Sequence, residues 1–569
     1  MDSRQRKELR IGILCNGPVL QHWQAECLRH VLAVPGVELV VVIERAQPAA
    51  DGTKGMLERA WTHPWRSVLY RQYRDRWSRP KAMLPEDLAP LFSNVPLVRV
   101  CPRVEKGAEW FSAHDLDSIR EFRPDVLFRF GFNILRGELL TLPTYGVWSY
   151  HHGDEMRFRG GPPGLWEIFF GVPVTGAVLQ RLTERLDAGA VLKKGWFATV
   201  DHSHKETIDT VLMHSGVWAA QLVRSLLAGD NQVVVGTVSR TEAKVHRYPG
   251  NVDFVRFLLR LARNKYRFHR QGLKLHEEWN IGVLYQPIQE LLKDPPDLNV
   301  RWLPAPGQGT YRADPFGVLD RQGSPLVLYE KYDYATGIGE ISRIRPKRDN
   351  VLKRSRTILS TGTHLSYPFV LQHEGRTFVV PEASSTGKVT LFESDPELTE
   401  LREIATLLEE ALYDPTLVAF GGRWWMFGTK APLTNAELFL YHADSLFGPF
   451  EPHMLNPVKC DVRSSRPAGT PFWHDGQLHR PAQDSSTTYG SRVAINRILR
   501  MDKTAFEEET VKFVGPVGGT VYDKGFHTIS AVGPFTLVDG KRMVHLKNAA
   551  RRATKMKMER LLQRDRSAS

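Results

Sequence analysis

The sequence has few cysteines and no long apolar stretch. Its four cysteines, Cys15, Cys27, Cys101 and Cys460, are scattered without the spacing of metal ligands or of a disulfide framework. No apolar run approaches the roughly 18 to 20 residues that span a bilayer, and no signal-peptide core follows the charged start. We therefore expect a reduced, cytoplasmic protein with no metal site and no transmembrane segment.

A dinucleotide fingerprint is also missing from the first predicted βαβ unit. Residues 9–14 form an apolar strand, residues 21–33 are helical, and residues 37–43 form a β-branched strand. The turn after the first strand reads Cys-Asn-Gly-Pro and contains no G-x-G-x-x-G. The pattern predicts an open parallel sheet without a dinucleotide site.

Acidic residues fall short of basic ones, and the net charge is +13. Part of this surplus lies in the last twenty residues, and another part lies between Arg256 and Lys274. Residues 251–268 form a basic helix whose apolar stripe is Val252, Val255, Leu258, Leu259 and Ala262. Such a helix is more often a connector between domains, and the alternative is peripheral contact with an anionic membrane. Charge alone does not decide between a phosphate-bearing partner and a solvated basic surface.

The stretch from Arg123 to Leu192 contains the residues suited to chemistry. Ser149 and His151 are two apart on a predicted strand and therefore share one face. Asp187 lies on a Gly-containing loop, where a carboxylate can reach an imidazole. A hydroxyl, an imidazole and a carboxylate beside Gly-rich backbone are suited to acid–base chemistry at a carbonyl.

Ten residues in this stretch resemble the motif of the formyltetrahydrofolate-dependent formyltransferases, in order and at matching spacing: Gly146, His151, Arg159, Gly160, Pro163, Thr175, Gly176, Leu186, Asp187 and Gly189. The resemblance covers roughly residues 8–235. It implies that N10-formyltetrahydrofolate is the co-substrate and that folate is a partner. In this family Asp187 would hold His151 charged, and the imidazolium would act on the oxyanion or on the departing nitrogen.

The resemblance also implies a folate pocket, with Phe130, Gly131, Phe132 and Leu186 near the pterin. The plain alternative is a strand end whose glycine permits a turn. Two features depart from the family pattern: Ser149 replaces the catalytic Asn, and residues 153–156 replace the usual loop. A serine hydroxyl can also donate to an oxyanion, so we predict a slow enzyme and not an inactive one.

The second half of the chain repeats one unit five times. Its openings include Asp314-Pro, Tyr367-Pro and Asp414-Pro, each followed by a hairpin with a Gly turn. Units of about 50 residues with four strands predict a five-bladed β-propeller.

These openings resemble the N-terminal domain of the plant glucosamine inositolphosphorylceramide transferases and, more distantly, five-bladed glycoside hydrolases. Asp314 and Asp414 match two hydrolase acids, but the expected acid of the fourth unit is missing from Ser464-Ser-Arg-Pro. Glu382 and Glu330 lie elsewhere in the repeat. We predict a glycan-binding propeller, with Asp314, Glu382 and Asp414 as substrate-binding candidates, over an active hydrolase. An Asx-type turn would also explain the aspartates.

The sequence therefore predicts a multidomain protein: an α/β open parallel-sheet formyltransferase domain at 8–240, a basic helical linker at 241–275, an all-β five-bladed propeller at 276–548 and a basic tail at 549–569. The expected reaction transfers a formyl group to an amine of a nucleotide-, lipid- or glycan-linked amino sugar. Nucleic acid is not an expected partner, because the small barrel of the tRNA formyltransferases is not recognisable. The alternatives are a catalytically inactive binding protein, and glycosidase or glycosyltransferase activity in the propeller.

Overall fold

The computed structural model of the protein describes residues 8–46, 64–105, 107–184, 189–272, 275–346 and 355–545. The chain divides into two compact units, Met1–Lys265 and Tyr266–Ser569, which we call the first unit and the second unit. Among the described residues, no helix combines the length and the apolar character needed to cross a bilayer.

The described helices are α1 His22–Leu32, α2 Val68–Arg76, α3 Ala89–Phe92, α4 Ala113–Arg120, α5 Leu165–Phe170, α6 His204–Ser215, α7 Trp218–Leu227 and α8 Asn251–Gly272, the last of which continues into the second unit. The described strands of the first unit are β1 Leu9–Cys15, β2 Val19–Gln21, β3 Val37–Arg45, β4 Pro85–Asp87, β5 Leu97–Val100, β6 Arg103–Glu105, β7 Ala108–Trp110, β8 Val126–Arg129, β9 Ile134–Arg136, β10 Val147–His151, β11 Arg159–Gly160, β12 Val174–Arg181, β13 Ala190–Ala198, β14 Thr237–Val238 and β15 Val245–His246.

Eight strands of the first unit form one mixed sheet, in the order β14-β13-β12-β10-β8-β1-β3-β5. The five strands from β10 to β5 are parallel, which confirms the predicted parallel-sheet α/β region. The central strand β1 is buried along almost its whole length, as in sheets covered on both faces. Strands β12, β13 and β14 run antiparallel, so the sheet is mixed and not open and fully parallel as predicted. The short connection from β12 to β13 explains that pair, because a parallel return needs a crossover of a dozen or more residues.

The described strands of the second unit are β16 Leu275–Leu284, β17 Arg301–Trp302, β18 Thr310–Leu319, β19 Pro325–Asp333, β20 Ile338–Ile344, β21 Arg356–Leu359, β22 Ser366–His373, β23 Arg376–Glu382, β24 Val389–Ser394, β25 Leu401–Leu408, β26 Tyr413–Phe420, β27 Arg423–Thr429, β28 Glu437–Ala443, β29 Glu451–Pro452, β30 Lys459–Cys460, β31 Phe472–His474, β32 Gln477–Asp484, β33 Arg492–Met501, β34 Phe506–Val514, β35 Ile529–Val532 and β36 Phe535–His545.

These strands form five antiparallel sheets along the described part of the second unit. Sheet 1 is β17-β16-β36-β35, sheet 2 is β18 to β21, sheet 3 is β22 to β25, sheet 4 is β26 to β29 with β30 added at β28, and sheet 5 is β31 to β34. Strands β16 and β36 pair over ten residues, so sheet 1 joins the two ends of the unit. The sheets match the predicted repeat in number and strand content, whereas their arrangement as propeller blades stays a prediction.

Apolar clusters connect neighbouring sheets of the second unit. One cluster connects sheets 1 and 2 through Ile281 and Val327, and a larger one connects sheets 2, 3 and 4. A third connects sheets 4 and 5, and a fourth connects sheet 5 back to sheet 1 through Val493 and Val538. Each sheet therefore buries apolar surface against the next sheet in the chain, and the last sheet packs on the first.

Sheets 2, 3 and 4 begin with the same local distortion. Asp314, Tyr367 and Asp414, each followed by proline, have φ values of 52°, 42° and 51°, in the left-handed region. The register of β18, β22 and β26 shifts at each of these positions. Because proline cannot donate to the ladder, each strand bulges there, and the bulge re-aims the side chain of the preceding residue.

Candidate functional site

Three parallel strands of the first unit end at one edge of the sheet. Asn16 follows β1, the Phe130-Gly131-Phe132 turn follows β8, and His151 ends β10. The Asn16 Oδ1 accepts a hydrogen bond from the Phe132 N–H at 3.2 Å. A Cβ on Gly131 would lie 2.8 Å from the Asn16 nitrogen, so this close approach of two loops requires glycine. We call this region the sheet-edge site.

Ser149 and His151 lie on the same face of β10, as their spacing predicts. The Ser149 hydroxyl is buried and accepts a hydrogen bond from Arg129 Nε at 3.0 Å. His151 is half-buried, and its Nε2 lies 3.0 Å from the carbonyl oxygen of Phe158. A carbonyl can only accept, so Nε2 carries the proton and the ring is held in one orientation. Arg129, which ends β8, was not identified from the sequence.

The opposite face of β10 is structural. Tyr150 and His152 pack edge-on against Trp23, with ring centroids 5.4 and 4.9 Å away. Burial lowers the pKa of His152 to about 3, so this imidazole is neutral at ordinary pH. The adjacent histidines 151 and 152 therefore have different environments because strand side chains alternate.

A lysine anchors the loop at residues 153–156, where the sequence departs from the formyltransferase motif. Lys194 Nζ lies 2.7 Å from Asp154 Oδ1 and 3.0 Å from Glu155 Oε2. Nearby Glu167 is buried, and burial, with Asp154 adding repulsion, raises its pKa to about 7. The departure from the family pattern is thus an acidic loop held by a cation from β13.

The other residues predicted for this site are only partly brought together. The Phe130 ring contacts Trp23, at 6.2 Å between centroids, while Phe132 is buried beneath the Arg45 guanidinium, 4.6 Å from its ring. The two rings belong to different apolar clusters. Leu186 and Asp187 lie outside the described residues, so the contact between His151 and Asp187 stays a prediction.

Asp414 and Glu382 of the second unit share one arginine. Arg466 donates to both carboxylate oxygens of Asp414, at 2.6 Å from Nε and 3.1 Å from Nη2. Gln483 Nε2 donates to Asp414 as well, at 3.0 Å. Glu382 accepts from two serine hydroxyls and lies 4.0 Å from Arg466. Burial, with Asp414 adding repulsion, raises the pKa of Glu382 to about 7.

Asp314 belongs to a buried group that also contains His527 and Asp539. The Asp314 Oδ1 accepts from the Thr528 hydroxyl at 2.8 Å and lies 3.6 Å from His527 Nε2. Asp539 accepts the backbone N–H groups of Asp314, His527 and Thr528. Burial, opposed by His527, raises the pKa of Asp314 to about 6.

The ligand atoms of these three residues lie close enough to surround a metal ion. However, Asp314 Oδ1 and both Asp539 oxygens already accept hydrogen bonds, and two of these bonds, from Thr528 to Asp314 and from the Asp314 N–H to Asp539, join sheet 1 to sheet 2. We therefore interpret the group as a hydrogen-bonded link between sheets, and the predicted absence of a metal site stays a prediction.

A cavity of about 390 Å³ opens beside this group. Its floor includes Glu330, which accepts from the Tyr311 hydroxyl at 3.3 Å and is 4% exposed. Burial, together with Asp314 and Glu382, raises the pKa of Glu330 well above its ordinary value. Five aromatic side chains line the cavity, which we call the aromatic cavity: Trp279, Tyr311, Tyr332, Tyr334 and Tyr489.

The three predicted substrate-binding acids do not line this cavity, whereas Glu330 does. The sequence of β19 does indicate part of this lining. Glu330, Tyr332 and Tyr334 are each two residues apart, in β19 and just after it, and all three line the cavity. Residues two apart share a face of a strand, so Glu330 and the two tyrosines were identifiable as one surface. Arg466 had no such signal, because its partner Asp414 is 52 residues away.

Residues 305–518 match a family described as "Glucosamine inositolphosphorylceramide transferase 1, N-terminal". A protein named glucosamine inositolphosphorylceramide transferase 1 from Oryza sativa subsp. japonica is 32% identical over 207 residues, which are 35% of this chain and 28% of that protein. The protein of the same name from Arabidopsis thaliana is 29% identical over 211 residues, 36% of this chain and 27% of that protein. The chain thus covers little more than a quarter of the length of these relatives.

Solved structures also show similarity, at low identity. Glycinamide ribonucleotide transformylase 1 from Symbiobacterium toebii is 16% identical, with a TM-score of 0.26. The matched region covers 39% of this chain and 89% of that protein's chain. Zg3597, a family 117 glycoside hydrolase from Zobellia galactanivorans, is 15% identical, with a TM-score of 0.30. The matched region covers 41% of this chain and 85% of that protein's chain. These similarities carry no inference about activity.

Proposed function

We propose that the chain is a transferase that formylates an amine of an amino sugar and that its second unit binds the carbohydrate. The formyl donor in this proposal is N10-formyltetrahydrofolate. The observation that carries the first half is the sheet-edge site, where Asn16, the Gly131 turn, Ser149 and His151 meet at the carboxyl ends of parallel strands. Open α/β sheets bind ligands at this edge.

The residues of the site have separate tasks in the reaction. The amine nitrogen bonds to the formyl carbon, and the bond from that carbon to N10 breaks. Ser149, held by Arg129, donates its hydroxyl hydrogen to the oxygen of the tetrahedral intermediate. His151, oriented by Phe158, transfers the proton lost by the amine to N10. Arg129 also adds positive charge beside the developing oxyanion.

The test is to incubate the full chain with N10-formyltetrahydrofolate and a panel of amino-sugar nucleotides, and to look for the gain of one formyl group by mass spectrometry. We expect His151→Asn to lower the rate at least a hundredfold, since a positioned acid–base group contributes about 10²–10⁴. The control is His30→Asn, an exposed histidine at the end of α1. Undiminished activity in the His151 variant would refute the role given to this histidine.

The proposal has a distinct rival in an inactive folate-binding scaffold. Isothermal titration with 5-formyltetrahydrofolate separates folate binding from chemistry. Binding without formyl transfer to any amine would favour the scaffold, and no binding would exclude the donor.

The second half of the proposal rests on the aromatic cavity. Aromatic faces stack on the apolar faces of sugar rings, and buried carboxyl groups hydrogen-bond hydroxyl or ammonium groups. The circular order of sheet contacts supports an arrangement of the five sheets as propeller blades around such a site. The relatives' name includes glucosamine, which agrees with an amino sugar as ligand.

Binding is favoured over hydrolysis at the predicted acids Asp414 and Glu382, which lie outside the lining of the aromatic cavity. Glycoside hydrolysis needs one carboxylic acid and one available carboxylate. Asp414 is engaged by Arg466 and Gln483 through both oxygens, and Glu382 is held by two serines. An assay of the full chain on aryl glycosides checks this, and we expect no release of aglycone above background.

A further inference from the structure

Helix α8 has two apolar faces, and the described part of the chain packs against one of them. Phe254 and Phe257 are buried, with their rings 5.2 and 6.4 Å from Tyr73 of α2. The second apolar face is exposed, and its large members Val252 and Leu259 are each 67% exposed. We call this second face the α8 stripe, which consists of Val252, Val255, Leu259 and Ala262.

The two faces lie on opposite sides of the helix. At about 100° per residue, the α8 stripe spans an arc of roughly 80°, centred about 150° from the packed phenylalanines and Leu261. Packing against α2 therefore leaves the α8 stripe uncovered, although it holds the helix in place. A ligand that covers the stripe meets a preformed surface and does not have to fold the helix.

Positive charge follows the α8 stripe along one side. Arg256, Arg260, Arg263 and Arg267 lie on the adjacent quarter of the helix, by the same geometry. Asp253 is the single acidic residue among the 22 of the helix. An apolar stripe beside a row of arginines is complementary to a surface that offers hydrocarbon and phosphate together.

An aromatic residue extends the surface at the start of the helix. Trp65 is 80% exposed, and its carbonyl oxygen accepts a hydrogen bond from Asn251 Nδ2 at 2.7 Å. Tryptophan is enriched at the boundary between membrane and water, where its ring and N–H are both satisfied. Trp65 is thus tied to the first residue of α8, next to Val252.

We propose that α8 docks the chain on an anionic lipid surface, with the α8 stripe and Trp65 at the headgroup boundary and the arginines on lipid phosphates. A second copy of the chain is a poorer occupant, because antiparallel pairing of two stripes brings two rows of arginines together. A bilayer supplies counter-charge along the whole row. This proposal is independent of the chemistry at the sheet-edge site and in the aromatic cavity.

Co-sedimentation of the full chain with phosphatidylcholine vesicles, with and without phosphatidylglycerol, tests the proposal. We expect binding to require phosphatidylglycerol and to weaken as salt increases. Val252→Asp and Leu259→Asp should each weaken binding at least tenfold, and Arg263→Gln about fivefold. Leu499→Asp, at a residue that is 52% exposed in β33, is the matched control and should bind normally.

The same variants separate docking through α8 from binding at another surface and from self-association. Binding that survives Val252→Asp and Leu259→Asp would overturn the proposal, because the contact would then lie elsewhere on this basic chain. A dimer seen by light scattering without vesicles, and abolished by Leu259→Asp, would also overturn it in favour of self-association. Circular dichroism of each variant confirms that a loss of binding is not a loss of fold.

Discussion

Arg466 is the cation shared by Asp414 and Glu382, two buried acids of the second unit. Its side chain is 12% exposed, and it lies between Asp414 and Glu382. The position belongs to the segment where a catalytic acid was expected from the resemblance to hydrolases. With arginine at this position, the Asp414 carboxylate is paired with a cation and does not compete with a second carboxylate. A carboxylate held in this way suits binding and not bond cleavage.

Removal of this arginine should be strongly destabilising. Arg466→Met leaves the buried Asp414 carboxylate without its cation, and breaking such a pair costs about 3–5 kcal/mol of unfolding free energy. Urea denaturation followed by circular dichroism measures the change. Arg497→Met is the matched control: Arg497 pairs with Glu509, and their side chains are 37% and 45% exposed, so its loss should cost below about 1 kcal/mol. Equal losses in the two variants would contradict the assignment.

Glu330 is the residue expected to distinguish a charged sugar from a neutral one. Glu330→Gln keeps the shape of the cavity but removes a carboxylate that can pair with an ammonium group. We expect affinity for glucosamine to fall about 10- to 100-fold, as for a charge-assisted hydrogen bond of roughly 1.5–3 kcal/mol, with affinity for glucose little changed.

Isothermal titration with both sugars measures this difference, and Glu403→Gln, an exposed acid on β25, is the control. An equal effect on both sugars would show that Glu330 does not recognise the amine. Stability should not fall in the Glu330 variant, because burial already disfavours the charged form of this acid.

At the level of elements, the bulges at the start of sheets 2, 3 and 4 determine how the sheets are connected. The side chain of each bulge residue forms a hydrogen bond to another sheet or to the segment that precedes a strand of another sheet. Asp314 accepts from Thr528, the hydroxyls of Tyr367 and Thr416 bond each other, and Asp414 accepts from Arg466. A proline that cannot join the ladder thus releases the residue before it to make a contact between sheets.

Tyr367→Phe tests one of these contacts. The Tyr367 hydroxyl accepts from the Gly469 N–H at 2.7 Å and lies 2.9 Å from the Thr416 hydroxyl. The variant leaves a buried backbone donor unsatisfied, so we expect a loss of about 1–3 kcal/mol in unfolding free energy. Tyr248→Phe, at a half-exposed residue of the first unit, should be near neutral in the same urea experiment. A neutral Tyr367→Phe would mean that the contact contributes no stability.

For the whole molecule, buried histidines and buried carboxyl groups should make stability respond to pH in opposite directions. In the first unit, burial lowers the pKa of His152 to about 3 and of His204 to about 4. The unfolded chain takes up these protons below pH 6.5 while the folded chain does not, so stability falls as the pH falls. At pH 5 each buried histidine should lower the free energy of unfolding by about 2 kcal/mol.

For the buried carboxyl groups the sign is reversed, and Glu167 of the first unit belongs with them, because burial raises its pKa to about 7. Glu382 has a folded pKa of about 7, and Asp314 of about 6, both above their ordinary values. At pH values between the ordinary pKa and the folded-state pKa, the unfolded chain has already lost these protons while the folded chain still holds them. The free energy of unfolding therefore falls as the pH rises. For Glu382 the loss reaches about 3 kcal/mol by pH 8.

Calorimetry at pH 5 and pH 8 checks both statements. We expect Glu382→Gln to remove most of the loss of stability that this carboxyl group causes between pH 5 and pH 8. An unchanged pH dependence in this variant would contradict the assignment of this buried group.

Local patterns in the sequence determined much of this protein. Alternating and β-branched runs predicted β1, β3 and β8, and the X-Pro openings with Gly turns predicted a fivefold repeat of hairpins. The spacing of Ser149 and His151 placed them on one face of a strand. These features depend on residues close together in the chain, so periodicity and turn chemistry are enough to find them.

Only the tertiary structure decided which distant residues meet. Arg466 reaches Asp414, Arg129 reaches Ser149, and Lys194 reaches the loop at Asp154, and no local pattern links the members of these pairs. The apolar stripe predicted for α8 is exposed, and the buried face is the one that carries Phe254 and Phe257 and packs against α2. The physical reason is that charge pairing and burial depend on distances through space, which a chain sets only when it folds.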